Sequence, residues 1–519
     1  MKKAVALVAV LALALTAFVA VGLAIQGATP DSSPAAEPTP SPTTPPPATV
    51  TEAPSAELAD LYSQRIDWQP CESDDDHDCG FLTVPVDYAD PQGETIDLSL
   101  LRVPAQGQRV GSLVVNPGGP GARGTTYAAA GGQVFREPLL DGFDIVGFDP
   151  RGVGDSAPVD CFSDSELDAY LAGDPTPDTA EELAGYRSAV LSFGEKCVAG
   201  SGPVVGHVTT IEAARDMDVL RSALGEDRLS YFGASYGTEL GATYAELFPD
   251  KVGRFVLDGA VDVSLDAKSL ALEQAAGFET ALRAYVQNCL DTTDNCFLGD
   301  TVEEGLATIT DLLDSIEEQP LPAGDRELTI GNAFYGVITP LYNRDYWFLL
   351  STALASALDG KGSALMSLAD AYASRNPDGS YADNSVEANY SINCLDDPTS
   401  VPFAKVPSLF PEFEEASPTF GRVFAWGMAG CRGVDVTSSE EPLTIRGEGA
   451  APIVVLGTSR DPATPLKWAH ALSAQLDSGV LVERDGDGHT AYNAGNECID
   501  TIVEDYLLDG DVPADGTSC

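Results

Sequence analysis

Short apolar runs recur along the chain, and most of them are followed by a polar, glycine-rich stretch. These runs occupy residues 112–115, 145–148, 229–232, 452–456 and 479–482. Runs of this length, rich in β-branched and aromatic side chains, are typical of strands buried on both faces of a parallel sheet. Helical patterns lie between several of them, so the sequence predicts an α/β protein with a mostly parallel, doubly wound sheet.

The middle of the chain, between Asp258 and the run at 452–456, has a largely helical pattern instead. Thr301 and Glu304 form a capping box, and Pro320 ends the helix that follows it. The apolar residues of that helix recur at helical spacing: Leu306, Ile309, Leu312, Leu313 and Ile316. In the next helical stretch, four aromatic residues are predicted to pack inside this region rather than to contact substrate: Tyr342, Tyr346, Trp347 and Phe348.

A helical insertion at this place in the chain would cover the strand ends of the sheet, where ligands bind in α/β proteins. The chain as a whole is expected to divide into five parts. A leader or N-terminal anchor is expected at residues 1–27 and a linker at 28–57. Two parts of one α/β core are expected at 58–265 and 448–519, with a helical cap at 266–447 between them.

The pentapeptide at residues 233–237, Gly-Ala-Ser-Tyr-Gly, carries the clearest chemical signal. It follows the apolar run at 229–232 and precedes a helix-like stretch at 238–248. A G-x-S-x-G motif between a strand and a helix places its serine on a sharp turn, where the hydroxyl is exposed as a nucleophile. Small neighbours are needed because the two chain segments approach closely at such a turn. The sequence therefore predicts that Ser235 is a nucleophile.

A serine nucleophile needs a base, and the chain has four histidines. His489 follows the run at 479–482 and stands in a polar, glycine-rich turn, from which an imidazole can be presented. The other three fit this role less well. His77 lies in an acidic stretch between two cysteines, His207 lies upstream of the nucleophile near a helix start, and His470 lies in a predicted helix. His489 is the predicted base.

The acid that orients the base is expected between Ser235 and His489, because α/β-hydrolases have the chain order Ser, Asp or Glu, His. Asp461 lies in the loop that follows the predicted strand at 452–456, and two prolines stiffen that loop. Asp258, which follows a strand-like stretch at 255–257, is the main alternative. Asp461 is preferred, and a plain loop carboxylate is the remaining interpretation.

Two backbone amides are expected to stabilise the oxyanion of an acyl-transfer reaction. One belongs to Tyr236, the residue after the nucleophile. Residues 116–121, Asn-Pro-Gly-Gly-Pro-Gly, follow the run at 112–115 and could supply the other, for which Gly119 is our choice. A plain turn is the alternative. A phosphate loop is disfavoured, because the motif lacks the lysine followed by Ser or Thr.

These motifs together resemble the secreted tripeptidyl aminopeptidases of the proline-iminopeptidase-like group. The resemblance covers nearly everything after about residue 58 and rests on six stretches: 116–121, 149–156 (Asp-Pro-Arg-Gly-Val-Gly-Asp-Ser), 233–249, 256–259, 457–465 and 488–489. It implies an α/β-hydrolase fold, a helical cap, removal of short peptides from free N termini, and a triad of Ser235, Asp461 and His489. Pro117 departs from the histidine that proline iminopeptidases usually have there, which favours the tripeptidyl branch. We predict that the stretch 149–156 is a structural turn.

The N terminus predicts export. Lys2 and Lys3 precede an apolar stretch at residues 4–25, which fits a signal peptide. The stretch is also long enough to cross a bilayer of about 30 Å, so an uncleaved membrane anchor stays open as the alternative. Residues 28–55 are rich in Pro, Thr, Ser and Ala and are predicted to form an extended spacer. The expected location is secreted or on the extracellular face of the cell envelope.

Ten cysteines in an exported chain indicate disulfides rather than metal or redox chemistry. Their spacings lack paired C-x-x-C motifs, which disfavours structural zinc. We predict bonds between sequence neighbours: Cys71 with Cys79, Cys161 with Cys197, Cys289 with Cys296, Cys394 with Cys431, and Cys498 with Cys519. No metal ion and no organic cofactor is expected.

The charge is strongly negative, since 28 Lys and Arg against 80 Asp and Glu give −52. Acidic residues are spread along the chain, as on a highly solvated surface. Nucleic acid and anionic membranes are disfavoured as partners because both would be repelled.

Three functions are considered on these grounds. The first is a secreted serine aminopeptidase acting on peptides with a free N terminus. The second is an esterase, lipase or amidase on the same scaffold, and the third is a non-catalytic envelope protein. An aminopeptidase needs a carboxylate that pairs with the substrate ammonium. Glu387, Asp396 and Asp397 are candidates by location only, so the amine-binding residues stay unassigned.

Overall fold

The structure is a computed structural model that describes residues 53–72 and 74–519 of the chain. The leader or anchor predicted at residues 1–27, and the linker as far as residue 52, lie outside the described residues. Within the part that is described, none of the helices combines the length and the apolar character that a membrane span requires.

Ten strands form one large sheet, and two more form a small hairpin. The strands are β1 (Gln69–Cys71), β2 (Asp74–Pro85), β3 (Thr95–Val103), β4 (Gly111–Asn116), β5 (Phe143–Phe148), β6 (Leu229–Ala234), β7 (Val252–Asp258), β8 (Leu321–Ala323), β9 (Arg326–Leu328), β10 (Ile453–Arg460), β11 (Gly479–Asp487) and β12 (Thr517–Ser518).

The large sheet has the order β1-β2-β3-β5-β4-β6-β7-β10-β11-β12. Strands β1, β2 and β3 are antiparallel, and β3 pairs antiparallel with β5. From β5 to β12 each neighbouring pair is parallel. The predicted apolar runs form β4, β5, β6, β10 and β11, and every residue of β4 and β5 is buried. The predicted α/β-hydrolase fold is confirmed: the sheet is mostly parallel and helices pack on it.

Helices connect the strands and build a layer over one end of the sheet. The α-helices are α1 (Ala59–Ser63), α2 (Gly124–Ala129), α3 (Gly131–Val134), α4 (Glu137–Gly142), α5 (Asp164–Leu171), α6 (Ala180–Gly200), α7 (Thr210–Leu224), α8 (Tyr236–Leu247), α9 (Ala267–Thr292), α10 (Val302–Glu318), α11 (Ile330–Ile338), α12 (Trp347–Leu358), α13 (Ser363–Tyr372), α14 (Ser385–Asp396), α15 (Phe410–Ala416), α16 (Gly421–Gly427), α17 (Leu466–Gln475) and α18 (Glu497–Asp509).

Short 3₁₀ turns supplement these helices. They lie at Ala56–Leu58, Gly202–His207, Pro249–Lys251, Thr339–Tyr342, Arg344–Tyr346, Phe403–Ser408 and Gly430–Gly433.

Helices α9 to α16 lie between β7 and β10, where the sequence predicts a helical insertion. The capping box forms as expected, because the Thr301 side chain accepts a hydrogen bond from the Glu304 amide at the start of α10. The apolar stripe of α10 is buried. The β8-β9 hairpin, which the sequence analysis missed, also belongs to this insertion.

The prediction for the four aromatic residues is right for Trp347, which is 3% exposed, and wrong for Phe348. Phe348 is 65% exposed, because it lies on the outer side of α12. Tyr342 packs against the apolar core of the helical layer, as predicted, and also lines the cavity that contains Ser235. Aromatic residues that are close together in sequence therefore face different surroundings in the helical layer.

The helical layer also takes in α5 and α6, which precede the nucleophile in sequence. Arg375 of the insertion forms a salt bridge with Asp168 on α5, at 2.5 Å. The Tyr186 hydroxyl on α6 donates to the carbonyl of Trp426, at 2.8 Å. The cap is therefore built from two separate parts of the chain.

All ten cysteines form disulfides, in the pairs predicted from sequence neighbourhood: Cys71–Cys79, Cys161–Cys197, Cys289–Cys296, Cys394–Cys431 and Cys498–Cys519. Each bond closes a loop with a sequence separation between 7 and 37 residues. The bonds therefore fix local segments of the chain.

Candidate active site

The turn between β6 and α8 holds Ser235 in a strained backbone conformation, with φ 57° and ψ −126°. Its amide donates to the Asp258 carbonyl at 2.8 Å, which ties the turn to the neighbouring strand β7. Gly233 is required on steric grounds, because a Cβ atom there would lie 2.3 Å from the Gly237 carbonyl oxygen. The geometry is the sharp turn that the G-x-S-x-G motif predicts.

His489 and Asp461 lie together at the ends of β11 and β10. The Nδ1 atom of His489 lies 2.9 Å from both carboxylate oxygens of Asp461. The same carboxylate accepts the amides of Ala463, Thr464 and Thr490, at 2.9, 2.8 and 3.1 Å. Because a carboxylate only accepts hydrogen bonds, the proton lies on Nδ1 in this contact, and Nε2 of a neutral ring is free to accept one.

Asp258, the alternative acid, has a different set of contacts. Its two oxygens accept the amides of Ala491 and Tyr492, at 2.8 and 2.9 Å. Burial raises the pKa of this carboxyl group to about 6. Asp258 therefore anchors the loop that follows His489, whereas Asp461 contacts the imidazole itself.

The imidazole is packed from several sides. The His489 amide donates to the Tyr342 carbonyl at 2.7 Å, and the two rings meet edge to face with centroids 5.5 Å apart. The Thr464 hydroxyl lies 3.3 Å from Nδ1. The Nε2 atom is buried and has no hydrogen-bond partner among the described residues, so it is not bonded to the Ser235 hydroxyl. Catalytic hydrogen bonds of this kind are often long in ligand-free enzymes and tighten on the bound substrate.

Burial alone would lower the pKa of His489, but the negative charge and the hydrogen bond of Asp461 oppose this, with a smaller contribution from Asp258. The net result is a pKa raised above the ordinary value of 6.5. The site therefore favours a positively charged imidazole more than water does.

The loop that carries Gly119 packs against the nucleophile turn. Gly118 packs against the turn so tightly that a Cβ atom there would lie 2.8 Å from Ser235 Cβ and 3.0 Å from the Tyr236 nitrogen. The Asn116 side chain accepts the Gly118 amide at 2.9 Å, which fixes this loop. Within the described part of the chain, the amides of Gly119 and Tyr236 have no hydrogen-bond acceptor. Both donors are therefore unoccupied.

Ser235 and His489 line one cavity of about 720 Å³ between the sheet and the helical layer. Tyr335, Tyr342 and Tyr372 contribute aromatic surface to it. Four carboxylates also line it: Asp258, Asp345, Asp383 and Asp487.

Asp383 differs from the other three carboxylates of the cavity. One of its oxygens accepts the Ser385 amide at 3.0 Å. The other is buried and has no hydrogen-bond partner within the described residues. Asp487, by contrast, is paired with Arg344 and Arg460. Asp383 is not predicted from the sequence, because an acidic residue before a helix gives the same sequence pattern whether that helix lies at the cavity or on the outer surface.

The three carboxylates that the sequence suggested for amine binding do not line this cavity. Glu387 is buried and accepts the amides of Cys161 and Phe162, at 3.0 and 2.7 Å. Asp396 accepts the amide and the hydroxyl of Thr210, and Asp397 accepts the Thr399 amide. All three therefore bind protein groups outside the cavity.

The stretch 149–156 also has a structural role, as predicted. Arg151 is fully buried, forms two hydrogen bonds with Asp216 at 2.8 and 2.7 Å, and donates to the carbonyls of Pro85 and Val86. Asp149 accepts the amide and the hydroxyl of Thr125 at the start of α2. These contacts hold the loop after β5 beside the site.

Comparison with known proteins identifies similar sequences over most of the chain. The model of a family described as TAP-like protein matches residues 417–519. The serine protease Hip1 of Mycobacterium tuberculosis (strain H37Rv) is 36% identical over 476 residues, which is 88% of this chain and 91% of that protein.

Two further relatives differ in their described activity. Carboxylesterase B of the same organism is 35% identical, over 85% of this chain and 86% of that protein. The tripeptidyl aminopeptidase of Streptomyces coelicolor is 32% identical, over 88% of this chain and 86% of that protein.

Proposed function

Since the chain belongs to the family of serine hydrolases that includes Hip1 and the tripeptidyl aminopeptidases, we propose that it is a secreted aminopeptidase that releases tripeptides or other short peptides from free N termini. Ser235, His489 and Asp461 form its catalytic triad, and the amides of Gly119 and Tyr236 form its oxyanion hole. The observation that carries the peptidase proposal is Asp383, which lines the same cavity as Ser235 and has one carboxylate oxygen without a hydrogen-bond partner among the described residues.

The proposed reaction is acyl transfer in two steps. His489 Nε2 takes the proton of the Ser235 hydroxyl while Oγ attacks the scissile carbonyl, and the two amides bind the resulting oxyanion. The protonated His489 then gives its proton to the leaving amine as the carbon–nitrogen bond breaks. Water attacks the acyl-enzyme in the same way and releases the peptide acid. Asp461 keeps the proton on Nδ1 and stabilises the charged imidazole.

The cavity suits a short peptide. Its volume of about 720 Å³ is within the range of small-ligand sites, about 300–1,000 Å³. A free α-ammonium needs an anionic acceptor away from bulk water, and a charge-assisted hydrogen bond of this kind is strong. Asp383 offers such an acceptor. Its buried oxygen would otherwise be a costly, unsatisfied polar atom.

Asp383→Asn tests the amine contact. The substitution removes the negative charge, so we expect kcat/KM for a tripeptide p-nitroanilide with a free N terminus to fall about 10- to 100-fold, the size of a lost hydrogen bond to a charged group. The acetylated substrate has no ammonium, and its slow turnover should stay within about twofold of the native rate. Asp345→Asn is the matched control, because Asp345 lines the same cavity but is exposed to solvent. An equal loss on both substrates would contradict the proposed contact.

The pH profile tests His489 as the base. Only a neutral imidazole can accept the serine proton, and the pKa of His489 is raised above 6.5. We therefore expect kcat/KM to fall tenfold per pH unit on the acid side, with a midpoint above pH 6.5. Removing the charge in Asp461→Asn should move the midpoint of the residual activity down, because burial is then opposed only by the smaller contribution of Asp258. A native midpoint below 6.5 would contradict this account of the site.

An esterase is the second candidate, and the similarity to carboxylesterase B favours it. The same triad and oxyanion hole would serve an ester. The purified, disulfide-oxidised protein should be assayed with tripeptide p-nitroanilides bearing free and acetylated N termini, beside a short-chain p-nitrophenyl ester. Turnover that requires the free amine supports the aminopeptidase. Fast ester turnover with equal rates on the two peptides would support the esterase.

We also propose that the protein acts outside the cytoplasm. Five disulfides persist in an oxidising compartment and are rare in the cytosol. The apolar N-terminal stretch supplies the export signal.

A further inference from the structure

Helix α14 contacts the loop that carries one proposed oxyanion donor, Gly119, and is linked through Thr210 to the residue that carries the other, Tyr236. It belongs to the helical cap by its place in the chain, between β7 and β10. Its first turns lie against the loop of Gly119, and its last residue, Asp396, binds a residue that contacts Tyr236. One helix outside the sheet is thus linked to two segments that are distant in sequence, the loop after β4 and the start of α8.

The first contact is with the loop after β4. Asn389 donates from its side-chain nitrogen to the carbonyl of Pro120, the residue directly after Gly119, at 3.0 Å. The backbones are so close that a Cβ atom on Gly121 would lie 2.6 Å from the Ser385 carbonyl oxygen and 2.8 Å from the Asn389 nitrogen. Gly121 has φ 99°, a conformation that favours glycine. The loop of Gly119 therefore lies directly on the helix.

The second contact is a chain of hydrogen bonds to the residue after the nucleophile. Asp396 accepts the Thr210 amide at 2.9 Å and the Thr210 hydroxyl at 2.6 Å. Since that hydroxyl gives its proton to a carboxylate, it accepts the hydrogen bond from the Tyr236 hydroxyl, at 2.7 Å. Thr210 and Tyr236 are both buried. The side chain of Tyr236 is therefore held from the end of α14.

Helix α14 is itself fixed to its surroundings. The side chain of Asn384, before the first turn, makes three hydrogen bonds of 2.9 Å to Gly152, Gly154 and Val159. Glu387 binds two amides of the segment that follows. Near its end, the disulfide Cys394–Cys431 and the hydrogen bond from Tyr390 to the Gly430 carbonyl hold the helix to a neighbouring turn.

We propose that α14 positions the oxyanion hole, with Asn389 and Asp396 as positioning residues that act through Pro120 and through Thr210. This inference rests on the proposed acyl-transfer function. An oxyanion hole works only when its donors lie 2.7–3.1 Å from the developing charge. A displacement of about 1 Å costs on the order of 100-fold in rate. The helix holds both donors in place before substrate arrives, so that neither has to move during the reaction.

Asn389→Leu tests the first contact with a side chain of similar size that cannot donate. We expect kcat on a p-nitrophenyl ester to fall about 10- to 100-fold, with KM within about twofold of the native value. The inhibition constant of phenylboronic acid should rise by the same factor as kcat falls, because its tetrahedral serine adduct occupies the oxyanion hole. Asn295→Leu is the matched control. Asn295 is exposed and does not line the cavity, so kcat should be unchanged.

The second contact has its own matched pair. Thr210→Val removes the hydroxyl that joins Asp396 to Tyr236, whereas Thr210→Ser keeps it. We expect about tenfold lower kcat in the valine variant, a parallel rise in the boronic acid inhibition constant, and recovery of both in the serine variant. Thermal unfolding of all four variants separates lost activity from lost folding.

Three outcomes would overturn the proposal. One is an unchanged kcat in Asn389→Leu and Thr210→Val. Another is a rise in KM with kcat unchanged, which would make Asn389 a substrate contact, since it also lines the cavity. The third is a loss of kcat without any change in boronic acid affinity. None of these outcomes contradicts the proposed acyl-transfer function. That function is contradicted instead if Ser235→Ala keeps its turnover of the same ester.

Discussion

Ser235→Ala is expected to lower kcat by about six orders of magnitude on both peptide and ester substrates, as removal of the nucleophile does in other serine hydrolases. The reason is that the site has one hydroxyl on the strained turn, next to the buried imidazole, and water must replace it as the nucleophile. The measurement is kcat from substrate hydrolysis at enzyme concentrations high enough to detect residual turnover. Labelling by a fluorophosphonate should disappear in the same variant.

The fold should survive this substitution. The Ser235 backbone is held by the hydrogen bond from its amide to the Asp258 carbonyl and by its packing against Gly118. Neither contact involves the hydroxyl. The thermal unfolding midpoint of the variant should therefore lie within about 1 °C of the native value, which corresponds to about 1 kcal/mol for a folded chain of this length. Ser264→Ala is the control, because Ser264 is exposed and does not line the cavity. Turnover retained in a clean Ser235→Ala preparation would refute the assignment.

Asp461→Asn is expected to lower kcat by about 10⁴-fold, the effect of the same change in a known Ser-His-Asp triad. An amide can donate to Nδ1, which favours the tautomer with the proton on Nε2, and that tautomer cannot accept the serine proton. The charge that stabilises the protonated imidazole is lost as well. Steady-state kcat together with the pH profile measures both effects.

Asp258→Asn distinguishes the two acids that the sequence left open. Asp258 accepts two backbone amides and does not contact the imidazole. An asparagine there offers only one oxygen, so one buried amide loses its acceptor at a cost of about 1–3 kcal/mol. We expect a lower unfolding midpoint and a loss in kcat below about 100-fold. A larger loss of kcat in Asp258→Asn than in Asp461→Asn would reverse the assignment.

The fold and the candidate triad could be predicted because their signals are local. An apolar run followed by a glycine-rich turn gives both the strand and the loop at its end, so Ser235, Asp461 and His489 each follow a predicted strand. The parallel sheet then brings these loops to one edge. Chain order fits both Asp258 and Asp461, so the prediction of Asp461 rests on its place in a loop that follows a predicted strand and is stiffened by two prolines.

The helices of the cap could be predicted from the sequence, but the surroundings of their individual side chains could not. A helix buries one face, and the sequence does not say whether that face meets another helix, the sheet or the cavity. Glu387 and Asp383 are four residues apart in sequence, yet Glu387 binds two loop amides while Asp383 lines the cavity. Phe348 and Trp347 are adjacent and have opposite exposure. The inclusion of α5 and α6 in the helical layer depends on contacts across more than 200 residues, such as Arg375 with Asp168.

The order of the disulfides along the chain bears on how the protein is made. Because each cysteine bonds to the next one in sequence, a chain that crosses a membrane with its N terminus first exposes both partners of one bond before the first partner of the next. Correct pairing then needs only that oxidation keep pace with translocation, without reshuffling of earlier bonds. Release of the fully reduced chain from denaturant removes this order, since all ten thiols then compete at once. Recovery of active enzyme by refolding from inclusion bodies should thus depend on a disulfide isomerase far more than secretion does.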